Sequence, residues 1–170
     1  QLPLFIHIPL RRLTIPTSQI NRFIPETGKI LDLGCGEGTL ANYLAEKPGR
    51  SVIGVDMDAA RLPASNLPNL KFINSDIRRF DTKGANAIVL SDVLHHLNFD
   101  DQDSLLINIS KGLKKGGILV IKEIDLNDQV RSRLSRFWDF VFYPKDNIFF
   151  SSSTSLSQKL RGLNFSVTIS

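Results

Sequence analysis

Ile30-Leu31-Asp32-Leu33-Gly34-Cys35-Gly36-Glu37-Gly38 is an apolar run that reaches an aspartate and then sets three glycines within five residues. It reads as a strand ending in a tight turn. Gly34, Gly36 and Gly38 permit positive φ and let backbone approach a ligand closely. Asp32 puts a carboxylate at the carboxyl end of the strand, where ligands of open α/β sheets bind. A helix predicted over about Thr39 to Glu46 aims its free N–H groups back at the same place.

Working outward, Ser51-Val52-Ile53-Gly54-Val55-Asp56 is a second apolar run that also ends on an acid. Gly36 and Asp56 stand 20 positions apart, the spacing at which a second-strand carboxylate meets a ribose in nucleoside-binding sheets. A dinucleotide fingerprint needs a third glycine where the helix packs on the strand, and counted from Gly34 that position is Thr39. Asp32 would also repel a pyrophosphate, whereas it would attract an ammonium and a sulfonium. The turn therefore favours S-adenosylmethionine over NAD.

Further ordered segments carry a resemblance. The chain resembles the class I S-adenosylmethionine-dependent methyltransferases, beginning with I-L-D-L-G-C-G-E-G-T-L and continuing with V-I-G-V-D-M-D at Val52 to Asp58. L-K-F-I-N-S-D-I at Leu70 to Ile77, A-I-V-L-S-D-V-L-H-H-L at Ala87 to Leu97 and L-K-K-G-G-I-L-V-I-K-E at Leu113 to Glu123 complete it. Five ordered motifs across roughly Ile30 to Glu123 are far more specific than one glycine turn.

The resemblance implies a doubly wound, mostly parallel Rossmann-like sheet with helices on both faces, and S-adenosylmethionine leaving as S-adenosylhomocysteine. It implies that Asp32 and the backbone of Gly34 and Gly36 hold the methionine part, with Leu33, Cys35 and Gly38 in the same turn. Asp56 would take the ribose hydroxyls, Met57 would lie against the adenine, and Asp76 would accept from the adenine amino group while Ile77 offers its N–H. Ser91, at the end of the fourth strand, would be a further cofactor-binding residue.

Ser91-Asp92-Val93-Leu94-His95-His96 follows that strand, where acceptor and donor meet in the family. An acceptor that loses a proton needs a base, and an unperturbed histidine pKa near 6.5 suits the task. His96 is the first candidate by its place in the H-H-L pattern, then His95, with Asp92 beside them. The alternative is that both histidines only shape the pocket. No metal is expected, since adjacent Asp92, His95 and His96 would rarely share ligand directions. No Asn- or Asp-Pro-Pro-aromatic sequence follows strand 4, and the sole cysteine lies in the glycine turn, so nucleic-acid amino and cytosine C5 methylation lose ground. No nucleic-acid partner is expected. The acceptor is read as a small or lipid-like molecule, with a lean to an apolar or aromatic one, and Phe140, Phe149 and Phe150 are candidates for an acceptor pocket, a lid or a subunit contact. A nicotinamide-type oxidoreductase and a non-catalytic cofactor-binding protein are the rival functions.

The bulk properties agree with one soluble domain: 170 residues, 42% hydrophobic, 22% charged and a net charge of +4. No apolar run is long enough to span a bilayer. Cys35 alone cannot form an intrachain disulfide, which agrees with a reducing cytoplasm. Position 1 is Gln and the lone methionine is Met57, so the initiator methionine is not in this sequence. Leu2 to Ile8 shows no signal-peptide pattern. Oligomeric state is not readable.

Residues 1–28 read as a lead-in and a possible pocket cover, and 29–170 as the domain proper. Strands are predicted near Lys29–Leu33, Ser51–Asp56, Leu70–Asn74, Ala87–Leu90 and Ile118–Ile124. Pro63 and Pro68 leave room for only a turn after Asp58. Asp100 or Asp101 caps a helix that continues to Leu113 and stops at Gly116. An amphipathic helix follows Asp128, with Val130, Leu134, Phe137, Trp138, Val141 and Phe142 on one stripe. A short helix covers Ser155–Leu160. Asn164 to Ile169 alternates as the first arm of an antiparallel hairpin, which is expected to be incomplete and to leave an exposed edge.

Overall fold

Continuous apolar runs form strands buried on both faces, and the computed structural model, which describes residues 16–123, 149 and 151–169, shows this at the centre of its sheet. Strand β1 (Gly28–Leu33) is buried from Ile30 to Leu33. β2 (Arg50–Asp56) and β4 (Ala85–Ser91) flank it, with β3 (Leu70–Asn74) and β5 (Leu113–Lys122) outside them, in the order β3-β2-β1-β4-β5. Every ladder is parallel. Leu33 pairs with Val55 on one side and Leu90 on the other, so the turn after β1 emerges at the point where strand order reverses. Such a switch point is where open α/β sheets bind ligands.

The two-residue period of the strands divides the core between two layers. Ile30, Val52, Ala87 and Val89 face helices α1 (Thr17–Asn21) and α2 (Thr39–Ala45), through Ile20, Leu40 and Leu44. Leu31, Leu33, Ile88 and Leu90 face α3 (Phe99–Gly112) and α4 (Ser153–Gly162), through Leu105, Leu106, Ile109 and Leu160. Each such aliphatic side chain contributes about 1.5–3 kcal/mol by leaving water.

Arg50 ties the lead-in to this frame. Its buried guanidinium donates to the carbonyls of Pro25 (2.8 Å), Ile24 (3.0 Å) and Leu44 (3.2 Å) and to Asn21 Oδ1 (2.7 Å). Arg50 begins β2, so the described part of the lead-in sits at the opposite end of the strands from the glycine turn. That part does not cover the pocket. The remainder of the lead-in, residues 1–15, lies outside the described residues.

Several boundaries differ from the sequence reading. Asn98, not Asp100 or Asp101, caps α3 by accepting from the Asp101 N–H at 2.9 Å. The two aspartates stand in the first turn, where negative charge suits the helix dipole. α3 ends at Gly112 rather than Gly116, where Leu113 takes up extended backbone and begins β5; a Cβ at Gly112 would lie 2.0 Å from Thr82 Oγ1, so only glycine fits there. Gly116, at φ +75°, lies instead in an irregularity of the β4–β5 ladder between the pairs Ala85–Leu113 and Ala87–Ile118. The short crossover after β2 is a single 3-10 turn, Ala59–Arg61, capped by Asp58, as its prolines required.

The expected hairpin arm is not a strand. After α4 the chain turns at Asn164 (φ +65°), and residues 165–169 join no ladder among the described residues. Phe165 and Val167 still pack on the core, and with Leu119 and Ile121 of β5 this segment lines a groove of about 300 Å³. The five described strands are thus all parallel. The helix expected after Asp128 lies outside the described residues. No described helix is long and apolar enough to cross a membrane.

Candidate functional site

The glycine turn and the acid of β2 are joined. Gly34, Gly36 and Gly38 all have positive φ. Gly34 and Cys35 donate their N–H groups to Val55 O at 2.7 and 3.0 Å, and Gly36 donates to Asp56 Oδ2 at 2.7 Å. Asp58 N–H donates to Asp56 Oδ1 at 2.9 Å. A carboxylate oxygen accepts more than one bond, so Asp56 keeps capacity for a ligand hydroxyl. Two glycines are also demanded by space. A Cβ on Gly38 would lie 2.5 Å from Phe72 Cζ, and one on Gly34 2.5 Å from Val93 Cγ2.

Asp32 is 2% exposed, and its Oδ2 has no hydrogen-bond partner among the described residues. Burial raises its pKa to about 7; the Ala41 N–H opposes this, and the charge of Asp56 adds to it. Glu37 Oε2 and Ser91 Oγ are likewise buried without a described partner. Buried polar atoms are ordinarily satisfied, so this cluster suits a polar, cationic ligand. Burial, then the charges of Asp32 and Asp56, pushes the Cys35 thiol up, which makes it an unreactive wall of the turn.

Farther along the strand ends, Met57 is 72% exposed directly after Asp56. Its loop is held by Asn74, whose Nδ2 donates to the Asp56 and Met57 carbonyls at 3.1 and 2.9 Å. Asp76 accepts from Arg78 Nη2 at 2.6 Å and Nε at 2.9 and 3.0 Å. These bonds hold its carboxyl below the usual range. Arg78 also reaches Asp101 at 2.9 Å. The Ile77 side chain is core.

Beyond β4 the chain makes a 3-10 turn, Leu94–His96. Asp92 enters it in the left-handed region (φ +56°), with Lys122 Nζ 2.6 Å from both carboxylate oxygens. Glu123 Oε1 accepts from the N–H groups of Val93 (2.9 Å) and Leu94 (2.7 Å), and Oε2 lies 2.6 Å from His95 Nδ1. His95 is buried, and its ring centroid stands 4.2 Å from that of His96. Gln102 Nε2, buried in α3, donates to Leu94 O, Leu97 O and Phe149 O, each at 3.0 Å. The Val93 contact at Gly34 places this turn against the glycine turn.

A family described as "Methyltransferase domain" matches residues 10–169. This chain belongs to the methyltransferase domain family. A carboxy-S-adenosyl-L-methionine synthase of Pasteurella multocida is 32% identical over 114 residues, covering 61% of this chain and 47% of that protein. The chain spans about half the length of the curated relatives it matches. An S-adenosylmethionine-dependent methyltransferase from Archaeoglobus fulgidus superposes with a TM-score of 0.75 at 18% identity, over 93% of this chain and 69% of that one. Human N-acetylserotonin methyltransferase, crystallised with S-adenosylmethionine, superposes at 0.69 with 20% identity, over 90% and 47%. At such identities the structures establish the fold. The family match sets aside the oxidoreductase alternative.

Against the sequence reading, the structure brings Asp32, Leu33, Gly34, Cys35, Gly36, Gly38, Asp56 and Met57 of the methyltransferase domain to one end of the sheet, with Ser91 ending the adjacent β4 and Asp92, His95 and His96 following it. It adds residues the sequence reading did not place at the site. Glu123, Lys122 and Gln102 hold the histidine turn, and Arg78 and Asn74 hold the acid loops. Glu123 had one readable signal, an acid at the carboxyl end of a strand in an open sheet.

Proposed function

We propose that this chain binds S-adenosylmethionine at the carboxyl ends of β1 and β2 and directs its methyl group to a small-molecule or lipid-like acceptor beside the β4 turn. The observation that carries the reading is the buried carboxyl of Asp32, with an unsatisfied oxygen next to a glycine turn anchored by Asp56. A methionine ammonium is a ligand that such a carboxylate suits. In this reading Asp32, Leu33, Gly34, Cys35, Gly36 and Gly38 bind the methionine part, Asp56 the ribose and Met57 the adenine face. Asp76, oriented by Arg78, and the Ile77 N–H meet the adenine edge, and Ser91 closes the pocket. His95 or His96 serves as the base, and Asp92, paired with Lys122, holds the turn that carries them. When bound, S-adenosylmethionine supplies an electrophilic methyl on a sulfonium. A reducing cytoplasm fits the single, half-buried cysteine.

Titration calorimetry with S-adenosylhomocysteine and with NAD tests the assignment. Heat with the first and none with NAD is the expected result, and tighter binding of NAD would sink the proposal. A second reading follows from the relatives named carboxy-S-adenosyl-L-methionine synthase. Mass spectrometry after incubation with S-adenosylmethionine, candidate acceptors and a carboxyl-donating co-substrate separates the two, since a carboxyl mass gained on S-adenosylmethionine and lost by that co-substrate, rather than a methylated acceptor, would favour the second.

A further inference from the structure

Arg78 joins two acids from distant parts of the chain. Its Nε and Nη2 form a fork on Asp76, in the loop after β3, with Nη2 2.6 Å from Oδ2 and Nε 2.9 and 3.0 Å from Oδ1 and Oδ2. Its backbone N–H donates to Asp76 Oδ1 at 3.0 Å. The remaining arm, Nη1, donates to Asp101 Oδ2 at 2.9 Å, in the first turn of α3. Asn98 Nδ2 donates to the same oxygen at 3.1 Å, so the brace ends on the residue that caps α3.

Stability is not what this network supplies. The side chains of Arg78, Asp76 and Asp101 are 39%, 26% and 31% exposed, and ion pairs at such exposure contribute little. It supplies direction. A planar guanidinium fork fixes the plane of the carboxylate it holds. An ionised carboxylate offers about four acceptor positions and no hydrogen to donate. Three N–H groups of Arg78 fill most of them, and these bonds keep the carboxyl below its usual range. What is left is one kind of contact, an acceptor for a ligand N–H, in a fixed orientation.

We propose that Arg78, braced by Asp101, is a positioning residue that aims an Asp76 oxygen at the amino group of the bound purine and makes the site selective for a 6-aminopurine cofactor. This rests on the S-adenosylmethionine reading above, in which Asp76 and the Ile77 N–H meet the adenine edge. The Ile77 N–H serves any purine with an unprotonated ring nitrogen. Only Asp76 reads the amino group, and a carboxylate free to turn toward water reads it poorly. Selectivity therefore belongs to the guanidinium that fixes the carboxylate.

Calorimetry on the full chain compares S-adenosylhomocysteine with its 6-deamino analogue, whose purine carries hydrogen in place of the amino group. The parent should bind S-adenosylhomocysteine more tightly by about tenfold or more, the scale of a hydrogen bond to a charged group. Arg78→Met should bring the two ligands within about threefold of each other, chiefly by weakening S-adenosylhomocysteine. Arg78→Lys keeps the charge without the planar fork and should resemble the methionine variant. Asp101→Ala, which retains the N–H that Asn98 accepts, should fall between parent and Arg78→Met. A merely structural role would weaken both ligands alike and leave their ratio untouched. A parent ratio near one overturns the proposal, as does the parent's ratio in folded Arg78→Met, Arg78→Lys or Asp101→Ala. The parent ratio decides even if a variant does not fold. Binding of neither ligand by the parent would defeat the S-adenosylmethionine reading and the proposal with it, whereas equal binding of both defeats the proposal alone.

Discussion

Gly36 N–H donates to Asp56 Oδ2 at 2.7 Å, so the glycine turn of β1 and the acid that ends β2 form one unit. Asp58 N–H occupies the other oxygen. The carboxylate thus shapes the loop in which, on the proposed function, it would also meet a ligand.

Asp56→Ala removes both roles and is expected to weaken S-adenosylhomocysteine binding roughly 10- to 150-fold, from about 1.5–3 kcal/mol for a hydrogen bond to a charged group. Asp56→Asn keeps one acceptor oxygen and should fall between parent and alanine. Equal dissociation constants for parent and folded Asp56→Ala, by calorimetry, would remove Asp56 from the ribose role.

Asp32 predicts a pH dependence with a definite sign. Its carboxyl is raised from 3.8 to about 7 in the folded protein, so between those values the folded state holds a proton that the unfolded chain has released. Stability of the ligand-free protein therefore falls as pH rises through this window, by roughly 2–4 kcal/mol from this group. Asp32→Asn should flatten that part of the profile, measured as urea-unfolding free energies at pH 5 and pH 8. Identical pH dependence in the two proteins would contradict the assignment.

The same carboxyl governs ligand affinity in the opposite direction. An ammonium ligand needs Asp32 ionised, so S-adenosylhomocysteine should bind more tightly as pH rises from 5.5 to 7, by up to about tenfold per unit. Calorimetry across that range should find the slope absent in Asp32→Asn.

Gly38 combines a φ of +72° with a Cβ direction that ends 2.5 Å from Phe72 Cζ. Gly38→Ala should destabilise the protein by roughly 2–4 kcal/mol, from the left-handed backbone and the clash together. Adding Phe72→Leu should recover the clash component but not the backbone one. Full recovery in thermal unfolding would mean that the backbone carries no strain.

Arg50→Met leaves the carbonyls of Ile24, Pro25 and Leu44 without these donors. A loss of about 2–4 kcal/mol is expected. Trypsin cleavage after Arg22 should accelerate in the variant, because Arg50 holds the segment that follows α1. Unchanged cleavage would show that α1 is secured by Ile20 and Ile24 alone.

Much of this protein was legible in its order of residues. Apolar runs that end on Asp32, Asp56 and Ser91 report strands buried on both faces and aligned in parallel, because burial on two faces removes the polar alternation of a half-exposed strand. Pro63 and Pro68 likewise announced the short crossover, since proline acts on its own neighbours. The glycine turn was readable for the same reason. Its requirement is local backbone geometry.

Tertiary structure alone decided what depends on register between distant segments. Glu123 meets Val93 across a separation of 30 residues, and Lys122 meets Asp92 across the same gap. Both pairings exist only because β4 and β5 align as Ser91 with Lys122 after the ladder irregularity around Gly116. Glycine is required at 112, the last residue of α3, because Thr82 occupies the space a side chain would need. Residues 165–169 alternate like a strand yet join none of the described ladders. Periodicity records which side chains leave water. Hydrogen-bond partners are set by where the packed layers bring two backbones together.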